Sequence, residues 1–131
     1  MKKTGVLNRD IAAVIAAMGH YDRLVISDSG FPVPPGVPCI DLVVAAGEPS
    51  VFRVLEIVVS ELEVEELVLA DETGENAPER RDAFVERVAG AALREIPMSE
   101  FFELAADAKA VIRTGEVTKY SNCMLVSGVT Y

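Results

Sequence analysis

The sequence contains no tryptophan, one histidine and two cysteines, and only 6% of its residues are aromatic. Cys39 and Cys123 lie far apart with no CxxC, and His20 has no companion at ligand spacing, so no metal site is expected. Each cysteine sits in an apolar, strand-like run and reads as a buried reduced thiol. GxGxxG, the P-loop, GxSxG and HExxH are all missing, which removes the usual signatures of nucleotide binding, serine hydrolysis and zinc proteolysis. Basic residues are scarce too: 12 Lys and Arg against 21 Asp and Glu leave a formal charge of −9. Nucleic acid is not an expected partner, because phosphate neutralisation needs a basic face. The same acidity repels anionic lipid headgroups. No apolar run reaches the roughly 20 residues of a membrane span, since Arg53, Glu56 and Glu61 interrupt the longest candidate. Arg9 and Asp10 interrupt the N-terminal region before a secretory h-region forms, so a cytoplasmic protein is expected.

What is present is core-forming material. The chain has 131 residues, of which 50% are hydrophobic and 25% charged. That is enough for one compact domain over 1–131. Ile11, Val14, Ile15 and Met18 recur at helical spacing behind Asn8, a suitable N-cap, with Gly19 as the stop. Leu24-Val25-Ile26 reads as a buried strand ending at Asp28-Ser29-Gly30. Four prolines between Phe31 and Pro38 make the next segment stiff and extended. Cys39 to Val44 reads as a second strand. Pro49 then opens a helix with Val51, Val54, Leu55, Val58 and Leu62 on one face. Glu66 to Ala70 is the third strand. Asp71 to Ala77, with Gly74 and Asn76, is expected to be a mobile surface loop, and Pro78 to start a charged helix reaching about Leu93. A brief edge follows at Arg94 to Pro97, then a short helix from Glu100 to about Ala106 capped by Ser99. Ala110 to Arg113 and Cys123 to Ser127 close the chain as strands. Strands alternating with helices imply crossover connections. The expected fold is therefore α/β, a single three-layer domain with a mainly parallel sheet flanked by helices. Ligands of such sheets gather at the carboxyl ends of the strands, which points to the loops beginning at Asp28, Asp71 and Gly115.

Three places carry candidate chemistry. His20 follows Gly19 at the end of the first helix, where the helix dipole and nearby carboxylates favour an imidazolium able to act as a general acid. The bland alternative is an ordinary surface or capping histidine. Asp28, just past an apolar strand, suits a carboxylate that accepts hydrogen bonds from a polyol or takes a proton, and equally suits an Asx-type turn. Tyr120-Ser121-Asn122 offers a phenol, a hydroxyl and an amide in a row, groups suited to sugar hydroxyls, with a plain turn as the alternative. The run Glu61, Glu63, Glu65, Glu66 reads as a solvated acidic face.

The stretch MKKTGVLNRDIAAVIAAMGHYDRLVISDSGFPVP resembles the N-terminus of the D-ribose pyranase family, relatives of fucose mutarotase. The resemblance continues through CIDLVVAAGEPSVFRVLEIVVSELEVEELVLADE and ends with AVIRTGEVTKYSNCMLVSGVTY. It implies that His20 of the GH dipeptide is catalytic, that Asp28 contacts sugar, and that Tyr120, Ser121 and Asn122 occupy the sugar-binding segment. Many relatives carry a histidine ahead of the AVIR strand and often a lysine four residues later. Met98 and Phe102 stand at those positions here, so Met98 is expected to pack against an apolar face of the sugar. The implied activity is cofactor-independent interconversion of the pyranose and furanose forms of D-ribose by a cytoplasmic homo-oligomer, typically a decamer with its site at a subunit interface. A fucose-type mutarotase and a non-catalytic sugar-binding oligomer are the alternatives.

Overall fold

A computed structural model describes residues 1–131, and its elements follow from local chemistry. Helix α1 (Arg9–Ala17) starts at Asn8, whose Oδ1 accepts from the N–H groups of Asp10 and Ile11. Strand β1 (Arg23–Ser27) is followed by the proline-rich segment and the short strand β2 (Cys39–Asp41). Ser50 caps helix α2 (Val51–Val59), which buries Val51, Val54, Leu55 and Val58. Next come β3 (Val64–Ala70), helices α3 (Asp71–Asn76) and α4 (Pro78–Arg87), β4 (Ala92–Ile96), helix α5 (Met98–Ala105), β5 (Ala110–Arg113) and β6 (Cys123–Ser127).

The strands form one sheet in the order β2-β5-β1-β6-β3-β4. All neighbours pair in parallel except β6, which runs antiparallel to both β1 and β3. Side chains alternate between two cores. Leu24, Ile26, Leu67, Leu69, Ile112 and Leu125 face α1, α2 and Phe84 of α4. Val25, Val68, Val111 and Met124 face Phe31, Ile96 and Phe101 of α5. Helices therefore cover both faces, as a three-layer α/β fold requires.

Several boundaries depart from the sequence reading. Asp71 to Asn76 is helix, not mobile loop: Asp71 and Glu72 in its first turn suit the helix dipole, and Asn76 Nδ2 donates back to the Glu72 carbonyl. It stops at Ala77 because a residue before proline disfavours the helical region, and Pro78 restarts the chain as α4. Helix α4 ends at Arg87, and β4 begins at Ala92 rather than Arg94. Strand β2 ends at Asp41, short of Val44. Helix α5 starts behind Pro97 with no side-chain cap, so Ser99 is not its cap. Cys39 is exposed on the edge strand, whereas Cys123 is buried, which pushes its thiol pKa up and leaves it inert. No helix is long and apolar enough to cross a membrane.

Leu55 is fully buried between α2 and the sheet. Leu55→Ala is expected to lower unfolding free energy by about 2–5 kcal/mol, read from urea titrations at matched protein concentration.

Candidate active site

A cavity of about 640 Å³ opens at the carboxyl ends of the parallel strands. The reversal of β6 matters here, because it brings that strand's amino end to the same edge. Asp28, Ser29 and Gly30 enter from the end of β1, Glu72 from α3, Glu116 to Tyr120 from the loop after β5, Asn122 from the start of β6, and Met98 and Phe102 from α5.

Asp28 and Asn122, 94 positions apart, are locked together. Asn122 Oδ1 accepts from the Asp28 N–H at 2.8 Å, and Asn122 Nδ2 donates to Asp28 Oδ2 at 3.0 Å. Asp28 Oδ1 accepts from Gly30 N–H at 3.0 Å, so Asp28 is also the turn residue that its sequence context allowed. Of the two readings of that aspartate, the turn is the one these bonds display. Arg113 Nε donates to the Ser29 carbonyl at 2.8 Å, pinning the loop from the other side. Tyr120 adopts a left-handed backbone at φ 56°, and its carbonyl accepts from buried Thr73 Oγ1 at 2.7 Å. Ser121 is fully buried and off the cavity, its Oγ without a partner, so of the Tyr-Ser-Asn run only Tyr120 and Asn122 line the space.

Phe31, Met98 and Phe102 form an apolar wall opposite these polar groups, with the Phe31 and Phe102 rings 5.3 Å apart. Met98 N–H donates to Glu72 Oε2 at 3.0 Å. Glu116 is nearly buried and ion-paired to Arg80 at 2.7 Å. Burial works to raise its pKa, but hydrogen bonds from Thr118 and the Arg80 guanidinium outweigh it and hold the carboxyl below its ordinary range. Glu72, Glu116, Lys119 and Phe31 were not singled out from sequence. Their signal was indirect: two of the three loops expected at strand ends, those at Asp71 and Gly115, contain Glu72, Glu116 and Lys119.

His20 is elsewhere. It precedes β1, whereas Asp28 follows it, and the strand between them puts the two about 17 Å or more apart on opposite sheet edges. The ring is half-exposed, stacked on Tyr21 at 3.7 Å, and its Nε2 donates to Glu65 Oε2 at 2.7 Å. Glu65 is therefore not merely part of a solvated face. Asp22, next in sequence, instead accepts from Gly19 N–H at 2.8 Å. One chain alone does not bring His20 to the cavity. Large apolar side chains are left exposed at both places, Val117 in the cavity lining and Tyr21 beside His20.

The chain matches the model of the RbsD / FucU transport protein family over residues 1–130. It belongs to that family. It is 47% identical to a D-ribose pyranase of Lactiplantibacillus plantarum and 42% identical to one of Thermotoga petrophila, each covered in full along with this chain. Bacillus subtilis RbsD, solved in complex with D-ribose, superposes with a TM-score of 0.97 at 39% identity over the whole of both chains. The fucose mutarotase of Streptococcus pneumoniae, solved with L-fucose, shares the fold at a TM-score of 0.79 but only 17% identity.

The lowered Glu116 carboxyl gives a pH prediction. A group whose native pKa lies below its unfolded value adds stability that is complete above the ordinary glutamate pKa of about 4.3 and is lost as pH falls through the native value. Urea midpoints of the native protein are expected to fall more steeply than those of Glu116→Gln as the pH drops below about 4.3. Parallel acid limbs for the two proteins contradict the assignment.

Proposed function

We propose that this chain is a cofactor-independent isomerase that interconverts the pyranose and furanose forms of D-ribose. Full-length identity to D-ribose pyranases and the close superposition on the ribose-bound RbsD carry the reading. The chemistry needs only proton transfers. Ring opening to the aldehyde requires a proton given to the ring oxygen and one taken from the anomeric hydroxyl, and closure through a different hydroxyl reverses both. Such acid-base assistance contributes roughly 10²–10⁴-fold.

His20 is the proposed proton donor. With Nε2–H donated to the Glu65 carboxylate, Nδ1 is the ring nitrogen left for a substrate, and the proposed step has the imidazolium give its Nδ1 proton to the ring oxygen and become the neutral ring. Asp28, held by Asn122 and Gly30, keeps free lone pairs in a fixed direction. It either orients the sugar by accepting from a hydroxyl or shares the proton transfer by taking the anomeric proton and returning it on closure. Tyr120 supplies a phenol as donor or acceptor, Asn122 orients Asp28, and Met98 packs with Phe102 on the C–H face of the ring. Ser121 has no side-chain part in this scheme, since its hydroxyl is buried away from the cavity.

Because His20 and the cavity lie at opposite sheet edges, the proposed catalytic unit spans two copies, the His20 edge of one closing the cavity of the next. A cavity of about 640 Å³ also leaves room beyond a pentose for such a neighbour. Head-to-tail contacts close into a ring when the rotation between copies divides a full turn, and a homodecamer in the cytoplasm is the assembly proposed. The exposed apolar residues on both edges support this contact.

Saturation-transfer NMR of ribose anomers tests the activity, with L-fucose as comparison. His20→Ala is expected to lose roughly 10²–10⁴-fold of the acceleration. Mixing His20→Ala with Tyr120→Phe subunits under conditions that permit exchange is expected to restore part of it, since some interfaces then hold both native groups. No restoration in verified mixed oligomers rules out the two-copy site, and ribose stabilisation without faster exchange leaves a binding protein instead.

A further inference from the structure

Glu116 faces the cavity, yet both of its carboxylate oxygens are occupied within the chain. Oε1 accepts from the N–H groups of Val117 at 3.0 Å and Thr118 at 2.9 Å, and Oε2 accepts from Arg80 Nη2 at 2.7 Å. An ionised carboxylate already holding three donors is a poor base for a sugar hydroxyl. Its backbone is engaged as well: the Glu116 carbonyl accepts from Ser29 N–H at 2.8 Å, and its N–H donates to Thr114 Oγ1 at 3.2 Å. One residue thus ties the loop after β1, which carries Asp28, to the loop after β5, which carries Tyr120.

Arg80 reaches this point from α4. Its guanidinium carbon lies 4.8 Å from the centroid of the Phe52 ring on α2, and its Nε is buried with no partner. Burying an ion pair brings a desolvation penalty that its attraction offsets only in good geometry, and a donor left unpaired adds to it. A pair built this way is a weak source of stability. It is a good source of fixed geometry, because the Arg80 cation, lying against Phe52, bonds Oε2 while two backbone N–H groups hold Oε1, which leaves the carboxylate one orientation. Beyond Glu116 the segment ends at Tyr120, whose left-handed backbone is disfavoured for a residue with a Cβ and is held through its carbonyl by Thr73. The segment is pinned at both ends, and Arg80 with Glu116 is one of the pins.

We propose that Arg80 and Glu116 form a positioning pair that fixes the Val117 to Tyr120 segment in its sugar-binding geometry and so sets affinity in this cavity. The proposal rests on the reading of the cavity as the ribose site. Neither residue transfers a proton; both act through Tyr120 and through the Ser29 loop.

Two measurements test it on the full-length oligomer. The first needs no sugar. Amide hydrogen exchange at residues 117–120 is expected to quicken about tenfold or more in Arg80→Met and in Glu116→Gln, with Arg80→Lys recovering most of the protection. The second is ribose binding by calorimetry beside exchange kinetics. Each variant is expected to weaken ribose affinity about tenfold, the loss appearing in KM rather than kcat, and the double variant to be no worse than the worse single. Arg80→Lys is expected to bind nearly as the native protein does. Should Arg80→Met fail to fold, Glu116→Asp, which keeps the charge but shortens its reach, is expected to show the same two effects. Unchanged exchange at residues 117–120, or ribose affinity unaltered while only the melting temperature falls, overturns the proposal. If the native protein binds no ribose, the sugar reading fails by itself, and the amide measurement still decides whether the pair holds the segment.

Discussion

Two hydrogen bonds between Asn122 and Asp28 hold together the polar side of the cavity. They join the carboxyl end of β1 to the amino end of β6, and they exist only because β6 enters the sheet antiparallel between β1 and β3. In a wholly parallel sheet the start of the last strand would lie at the far edge, away from the Asp28 loop. The reversal puts the late polar segment beside the first strand's exit, and the loops after β3 and β5 then surround the same point. Gly115 belongs to this constraint, since a Cβ there would collide with the backbone carbonyls of Glu48 and Ala45. The loop that carries Glu116 and Tyr120 must leave β5 through a gap only glycine passes.

The same constraint separates His20 from its proposed partners. A residue ahead of β1 and a residue behind it cannot meet in one chain, because a strand is rigid and extended. If His20 protonates a sugar held at Asp28, the meeting must occur between copies, and the oligomer becomes part of the catalytic apparatus. Such a division has a physical consequence: a lone subunit presents an imidazole paired to Glu65 on one edge and an open cavity on the other. Closing the cavity with a second copy excludes water, and hydrogen bonds to the sugar strengthen as the local dielectric falls.

Much of the layered fold was legible from periodicity. Helical spacing at Ile11, Val14 and Ile15, and the β-branched runs around Val25, Val68 and Val111, mark elements that bury these residues wholly or in part. Polar segments were read less well. Asp71 to Asn76 looks like loop by composition, but acidic residues at its start and a proline just past its end are what a short helix needs. Cys39 looked buried because its neighbours are apolar, yet an edge strand leaves one side open whatever the sequence around it. At the site, Asp28, Tyr120 and Asn122 were marked by residue type and by their position at strand ends. Ser121 shared their segment but not their face, since strand alternation sends every second side chain inward. Glu65 and Arg80 carry no local mark at all. Each matters through a partner 45 or 36 positions away, a pairing that only the folded chain displays.

On the proposed ribose reading, the cavity's two walls divide the work of holding a sugar. On one side Phe31, Met98 and Phe102 offer only dispersion and surface burial, which suit the C–H face of a pyranose and are indifferent to which hydroxyl is on which carbon. On the other, the carboxyl groups are largely committed before any ligand arrives: Asp28 to Asn122 and Gly30, Glu116 to Arg80 and two backbone N–H groups, Glu72 to Met98. On that reading Asp28, oriented by Asn122 and Gly30 yet keeping free lone pairs, is an acceptor already aimed, while Glu116 is fully engaged and acts by holding its segment, so little side-chain entropy is lost on binding. On that reading, discrimination among sugars falls to the polar wall and to the proposed neighbouring copy. That follows from Met98 and Phe102, which contribute contact area but no hydrogen bond from their side chains. A change in the direction of Tyr120 or Asp28 alters which hydroxyl pattern fits, whereas a change at the apolar wall chiefly alters how tightly any pentose is held.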